Sequence, residues 1–192
     1  MKIGYKLIIG LLLTALSTLL IAGLNYNLTS SSKNYFKDVE EKTIPGIEAR
    51  DHMRFAVSRT MNSINELVLL QHINDVSDSY MKNRQSALAS NIDLFERSLK
   101  KYEALSVHLP NQINYVEAIT EERNKLRVIQ TSFRDKAMNK LSDKELVSAK
   151  EHLDKIGDNA LTVINAAIDH EKNELSKLHG SLESTIDNSF YI

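Results

Sequence analysis

The sequence predicts an all-α protein: one N-terminal transmembrane helix, then an antiparallel up-down-up-down four-helix bundle with a two-helix membrane-proximal stalk. Three observations predict it. A long apolar run near the N-terminus carries no charge. The remaining chain is almost free of helix breakers, with 6 Gly and 2 Pro in 192 residues. The helical segments between those breakers also match in length, as antiparallel neighbours joined by short loops must.

The apolar run comes first. Leu7 to Leu24 reads LIIGLLLTALSTLLIAGL, with no charge between Lys6 and Lys33, close to the ~20 residues that cross hydrocarbon. Lys2 and Lys6 precede it, whereas Asn25 to Ser32 are polar and uncharged. The positive-inside rule therefore keeps residues 1–6 cytoplasmic and exports residues 25–189. Tyr5 and Tyr26 flank the span where aromatic rings favour the headgroup region. Gly10, Thr14, Thr18 and Ala22 recur every fourth residue, a small-residue stripe suited to close helix packing. The competing reading is a cleaved signal peptide, with Ile21-Ala22-Gly23 acceptable to a signal peptidase; the apolar core is longer than a typical signal peptide's.

After the span, breakers fall at Thr43-Ile44-Pro45-Gly46, His72 to Asp75, Ser106 to Pro110 and Asn139 to Ser142. The second bundle helix has the clearest period: Met81, Leu88, Phe95 and Tyr102 at seven-residue steps, with Ile92 and Leu99 between. The third opens with Pro110 in a first-turn position and carries Val116, Ile119, Leu126, Ile129, Phe133 and Ala137 on one side. The fourth starts at a capping box, Ser142 with Glu145, stapled by Leu141 and Leu146. Its apolar face runs from Leu153 through Ile168 and on to Leu182 and Ile186.

The predicted bundle helices, 45–71, 76–105, 110–138 and 143–171, each hold about 27 to 30 residues, or ~40 to 45 Å. Together they make a bundle over 45–171. The leftovers, 25–42 and 172–189, are about 18 residues or ~27 Å each. They carry complementary stripes, Leu24, Leu28, Tyr35 and Val39 against Leu175, Leu178, Leu182 and Ile186, and are expected to pair as a stalk. Residues 190–192, Phe190-Tyr191-Ile192, fit the start of a second transmembrane helix in a truncated chain; the alternative is a natural C-terminus that docks on the bilayer.

Composition narrows the chemistry. A net charge of −1 with interspersed signs provides no basic face for nucleic acid. The absence of Cys removes disulfides, thiolate metal sites and cysteine nucleophiles. None of the six His stands three residues after a Glu, so the di-iron Glu-x-x-His unit is missing, as is His-Glu-x-x-His. His170 and Glu174 offer two metal ligands at one helical turn, which is too few. No phosphate loop or nucleophile elbow occurs. The expectation is a non-enzyme with no metal and no cofactor.

The anchor with its polar exit, the Glu41-Lys42-Thr43-Ile44-Pro45 break, and the long last helix make the chain resemble, over nearly its whole length, the four-helix-bundle sensor module of methyl-accepting chemotaxis proteins. Related modules occur in sensor histidine kinases. The resemblance implies a bacterial inner-membrane receptor with a periplasmic bundle. It would act as a homodimer, bind a small solute or a solute-binding protein, and signal by helix displacement to a cytoplasmic domain. A single-anchor helical adaptor that binds another membrane protein is the alternative from another class.

Some members of that family grip an amino-acid carboxylate with arginines of the first bundle helix. Here that helix holds Arg50, Arg54 and Arg59. Arg50 and Arg54 are one turn apart, and Thr162 and Asn165 of the fourth helix fall at similar height, giving Arg50, Arg54, Thr162 and Asn165 as candidate ligand-binding residues. The alternative is a solvated face in which Glu48 and Asp51 neutralise the arginines. On the third helix the seam places Arg123 and Gln130 among apolar residues, with Asp154 or Asp158 as partners for Arg123 and contact with a ligand as the alternative.

Overall fold

The computed structural model describes residues 2–70, 76–107, 112–137 and 143–190. Every regular element among them is helical: α1 (Lys2–Asp38), a π-helical turn (Val39–Thr43), α2 (Ile44–Leu70), α3 (Asp78–Ser106), α4 (Ile113–Ala137) and α5 (Asp143–Phe190).

The predicted break at Pro45 is not a break. Helix runs through it, with a π-helical turn immediately before. Proline has no N–H and its ring crowds the carbonyl four residues back, so a wider turn upstream accommodates it without ending the helix. The last helix is likewise continuous from Asp143 to Phe190. The boundary residues 71–75, 108–111 and 138–142 lie outside the described residues. So do Pro110, the Ser142 capping box, and Tyr191 and Ile192. The α3 start is described: the Ser77 side chain accepts from the Tyr80 amide at 3.4 Å, and the Ser77 carbonyl accepts from the same amide at 3.0 Å. This satisfies a donor that the first helical turn would otherwise leave open.

The chain divides into two compact units, residues 1–43 with 173–192, and residues 44–172. In the larger unit α2, α3, α4 and the first part of α5 contribute to one hydrophobic core. Met53, Ala56, Val57 and Ile64 come from α2; Leu88, Phe95, Leu99 and Tyr102 from α3; Ile119 and Leu126 from α4; Leu153, Ala160, Ile164 and Ile168 from α5. The seven-residue stripe read on α3 is the face that is buried, with Met81 and Ile92 packed at its edge. Gly157 of α5 lies against Met61 of α2, so closely that a Cβ there would strike the thioether chain. A side chain at that position would require the Met61 thioether to move.

In the smaller unit α1 carries the one described stretch long and apolar enough to cross a membrane, and none of that window is buried. Ile8, Leu13, Leu16, Leu19 and Leu20 are all exposed. Gly10 meets nothing within 4 Å. The hydroxyls of Thr14 and Thr18 donate to the carbonyls of Gly10 and Thr14 at 2.6 and 2.8 Å, which satisfies them within the helix itself.

Candidate functional site

The most unusual group in the core is a cation. Arg50 has no exposed surface, and it is the largest fully buried side chain. It arrives there by helical spacing: Arg50 shares the inward side of α2 with Met53 and Val57, three and seven residues on. Its counter-ion arrives the same way on α5, where Glu171 follows Ile164 and Ile168 at seven- and three-residue steps and is 3% exposed. Arg50 Nη2 donates to Glu171 Oε2, tying α2 to α5.

Around this pair the other helices supply a polar shell. The guanidinium lies over the Tyr102 ring of α3, 4.6 Å from its centroid, a cation–π contact that gains strength away from water. Tyr115 of α4 packs against His170 of α5 with ring centroids 5.4 Å apart. Gly46 lies beside the pair: a Cβ built on it would stand 3.5 Å from Glu171 Oε1 and 3.6 Å from Arg50 Nη2, in ordinary van der Waals contact.

The site is polar but incompletely satisfied. Arg50 Nε, Arg50 Nη1 and the Tyr102 hydroxyl are buried without a hydrogen-bond partner. Burial pushes the Tyr102 phenol above the usual tyrosine range; the Arg50 cation opposes that shift, and Glu171 and Tyr115 add to it. The arrangement contains no activated nucleophile. Its chemistry is electrostatic: a paired charge held in low dielectric, where any movement of α5 against α2 changes the energy steeply.

The structure does not gather the four residues expected to hold a ligand. Arg50 is in the core, whereas Arg54, one turn later, faces solvent and pairs with Asp51 at 2.9 Å. The 100° advance per residue turns a step of four through 40°, enough to move a side chain from the seam to its flank. Thr162 and Asn165 are exposed, and the Thr162 hydroxyl donates to the Asp158 carbonyl at 2.8 Å. Glu48 neutralises Lys101 of α3 at 3.4 Å and not an arginine.

Arg123 is half-buried and paired, but its partner is Glu96 of α3 rather than Asp154 or Asp158. Arg123 Nε donates to Glu96 Oε1 at 2.6 Å, and Nη2 donates to Oε2, a two-pronged bond of the kind guanidinium geometry favours. Asp154 instead pairs with Lys150 at 2.7 Å. The side chain of Gln130 lies outside the described residues. His170 and Glu174 do not act together either: His170 stacks on Tyr115, and Glu174 accepts from Lys177 at 2.7 Å.

Sequence reasoning passed over Glu171, Tyr102 and Gly46. A carboxylate continuing the Ile164 and Ile168 stripe was the available signal, matched by a guanidinium on the Met53 and Val57 seam of α2. Comparison with protein-family models, with curated proteins and with solved structures returns no match.

Proposed function

We propose that the chain is the extracytoplasmic ligand-sensing region of a bacterial transmembrane signalling receptor. The output domain most in keeping with it is that of a methyl-accepting chemotaxis protein. In this reading residues 7–24 span the inner membrane, 45–171 form an up-down-up-down periplasmic bundle, and 25–42 pairs with 172–189 as the stalk. The receptor works as a homodimer, and a bound solute or solute-binding protein displaces α5 along the bundle axis.

The observation that carries the reading is that residues 173–192 belong to the same compact unit as residues 1–43, which contain the exposed apolar span. A helix that begins in the core of the larger unit thus ends in the unit bearing the membrane anchor. In this reading a shift of α5 is carried along the helix to its membrane-proximal end. The Arg50–Glu171 pair supports the mechanism, because it ties α5 to α2 through a contact whose strength depends on their offset.

The chain has no cysteine, so single introduced thiols report cleanly on topology. A membrane-impermeant maleimide added to intact spheroplasts should label Asp169→Cys and leave Ile3→Cys unlabelled until lysis. Protection of Asp169→Cys before lysis would remove the extracytoplasmic bundle, and with it the proposal.

A further inference from the structure

Where α5 is bare of a side chain, at Gly157, a sulfur of α2 lies on it. A Cβ built at Gly157 would strike Cγ, Sδ and Cε of Met61, with the sulfur nearest of the three. The thioether therefore rests along the glycine backbone, in the space a side chain would otherwise take. Gly157 is buried, whereas Met61 is partly exposed and packs against the core from its edge. We infer that Met61 is a reversible oxidation site, and that its sulfoxide loosens the seam between α2 and α5.

Oxidation needs an accessible thioether and a two-electron oxidant, here hydrogen peroxide. The sulfur lone pair attacks one peroxide oxygen, so that an S–O bond forms as the O–O bond breaks. The proton on the transferred oxygen passes to the departing hydroxide, which leaves as water. Sulfur is oxidised by two electrons, peroxide is reduced, and the product is methionine sulfoxide. Met53, on the same helix, has no exposed surface and is closed to peroxide. Met81 is partly exposed near the start of α3 and serves as the comparison.

Placement is what gives oxidation at Met61 a consequence. A sulfoxide is polar and chiral where the thioether was apolar and adaptable. Towards α5 it finds no donor, because Gly157 lies inside a continuous helix whose amides bond to carbonyls four residues back. An apolar contact is thereby exchanged for a polar group that is satisfied by turning to water. Val57 and Ile64 stand one turn either side on α2, and Leu153 and Ala160 one turn either side on α5, all of them buried. A side chain that turns outward takes its cover from this part of the core.

Nothing in this site depends on the sensing reading. Full-length protein in nanodiscs would be treated with a graded series of hydrogen peroxide, mapped by peptide mass spectrometry and unfolded in urea. Met61 should gain one oxygen while Met53 stays unmodified, and the urea midpoint should fall by about 0.5 M or more. The pair of methionine sulfoxide reductases, one for each epimer, should restore it. Met61→Leu, a volume-conserving replacement, should keep its midpoint through the same treatment. A Met81→Leu, Met138→Leu double variant should lose as much as the parent, which tests the site without altering Met61. Met61 left unmodified at doses that oxidise Met81, a sulfoxide at Met61 with an unchanged midpoint, or an equal loss in Met61→Leu would each overturn the assignment.

Discussion

Arg50 of α2 and Glu171 of α5 form a buried ion pair, 0% and 4% exposed at their side chains, in the core shared by four helices. Two charges taken out of water are held there by each other and by the Tyr102 ring, and removing either leaves the other stranded. The cost of a stranded buried charge is about 3 to 5 kcal/mol. Arg50→Ala and Glu171→Ala are each expected to lower stability by that amount in urea unfolding followed by circular dichroism. The double replacement Arg50→Met with Glu171→Leu should recover most of the loss, since a matched apolar pair needs no compensation. A double variant as unstable as the two losses added together would contradict this view of the pair.

Tyr102 separates ring from hydroxyl. The ring carries the cation–π contact and fills the core, while the hydroxyl has no hydrogen-bond partner. Tyr102→Phe should therefore lie within about 1 kcal/mol of the parent at pH 7, and Tyr102→Ala should lose about 3 to 5 kcal/mol. Equal losses in the two variants would show that the hydroxyl is bonded after all.

The same residue sets an alkaline limit. Its folded pKa is raised, first by burial, so the folded chain holds the phenolic proton more tightly than the unfolded chain does. The associated stability is complete below the ordinary tyrosine value of about 10 and is lost as pH rises through the folded value. Urea midpoints measured from pH 8 to 11 should fall more steeply in the parent than in Tyr102→Phe. Parallel curves would count against the shift.

Neighbouring arginines should differ sharply. Arg54→Ala removes an exposed pair with Asp51 and is expected to change stability by less than about 0.5 kcal/mol. A double-mutant cycle between Arg123 and Glu96, two-pronged and only partly exposed, should give a coupling of about 0.5 to 1.5 kcal/mol, weaker at high salt. Coupling near zero would make that contact an ordinary surface pair.

Much of the fold was legible because helical periodicity is local. The α3 seam follows from residues within a turn or two of each other. The path through Pro45 was not legible: a proline beside a glycine reads as a break, and the π-helical turn that absorbs it has no signature of its own. Pairing of charges was the least legible. Arg123 had acidic candidates on α5 and found Glu96 on α3, because which faces meet depends on how far each helix rotates about its axis. Arg50 was singled out for its charge, but its burial follows from sharing a seam with Met53 and Val57, and its partner lies 121 residues away.

The claim that this region senses a solute and passes the signal on is tested most directly by joining residues 1–190 to the returning membrane helix and cytoplasmic signalling domain of a chemotaxis receptor. Kinase output would be followed by energy transfer in cells as a panel of small solutes is added. The account predicts a saturable change in kinase activity with at least one solute, abolished when Arg50→Met and Glu171→Leu remove the pair joining α2 to α5. A hybrid that inserts and activates the kinase, yet gives the same output with every solute, would contradict it.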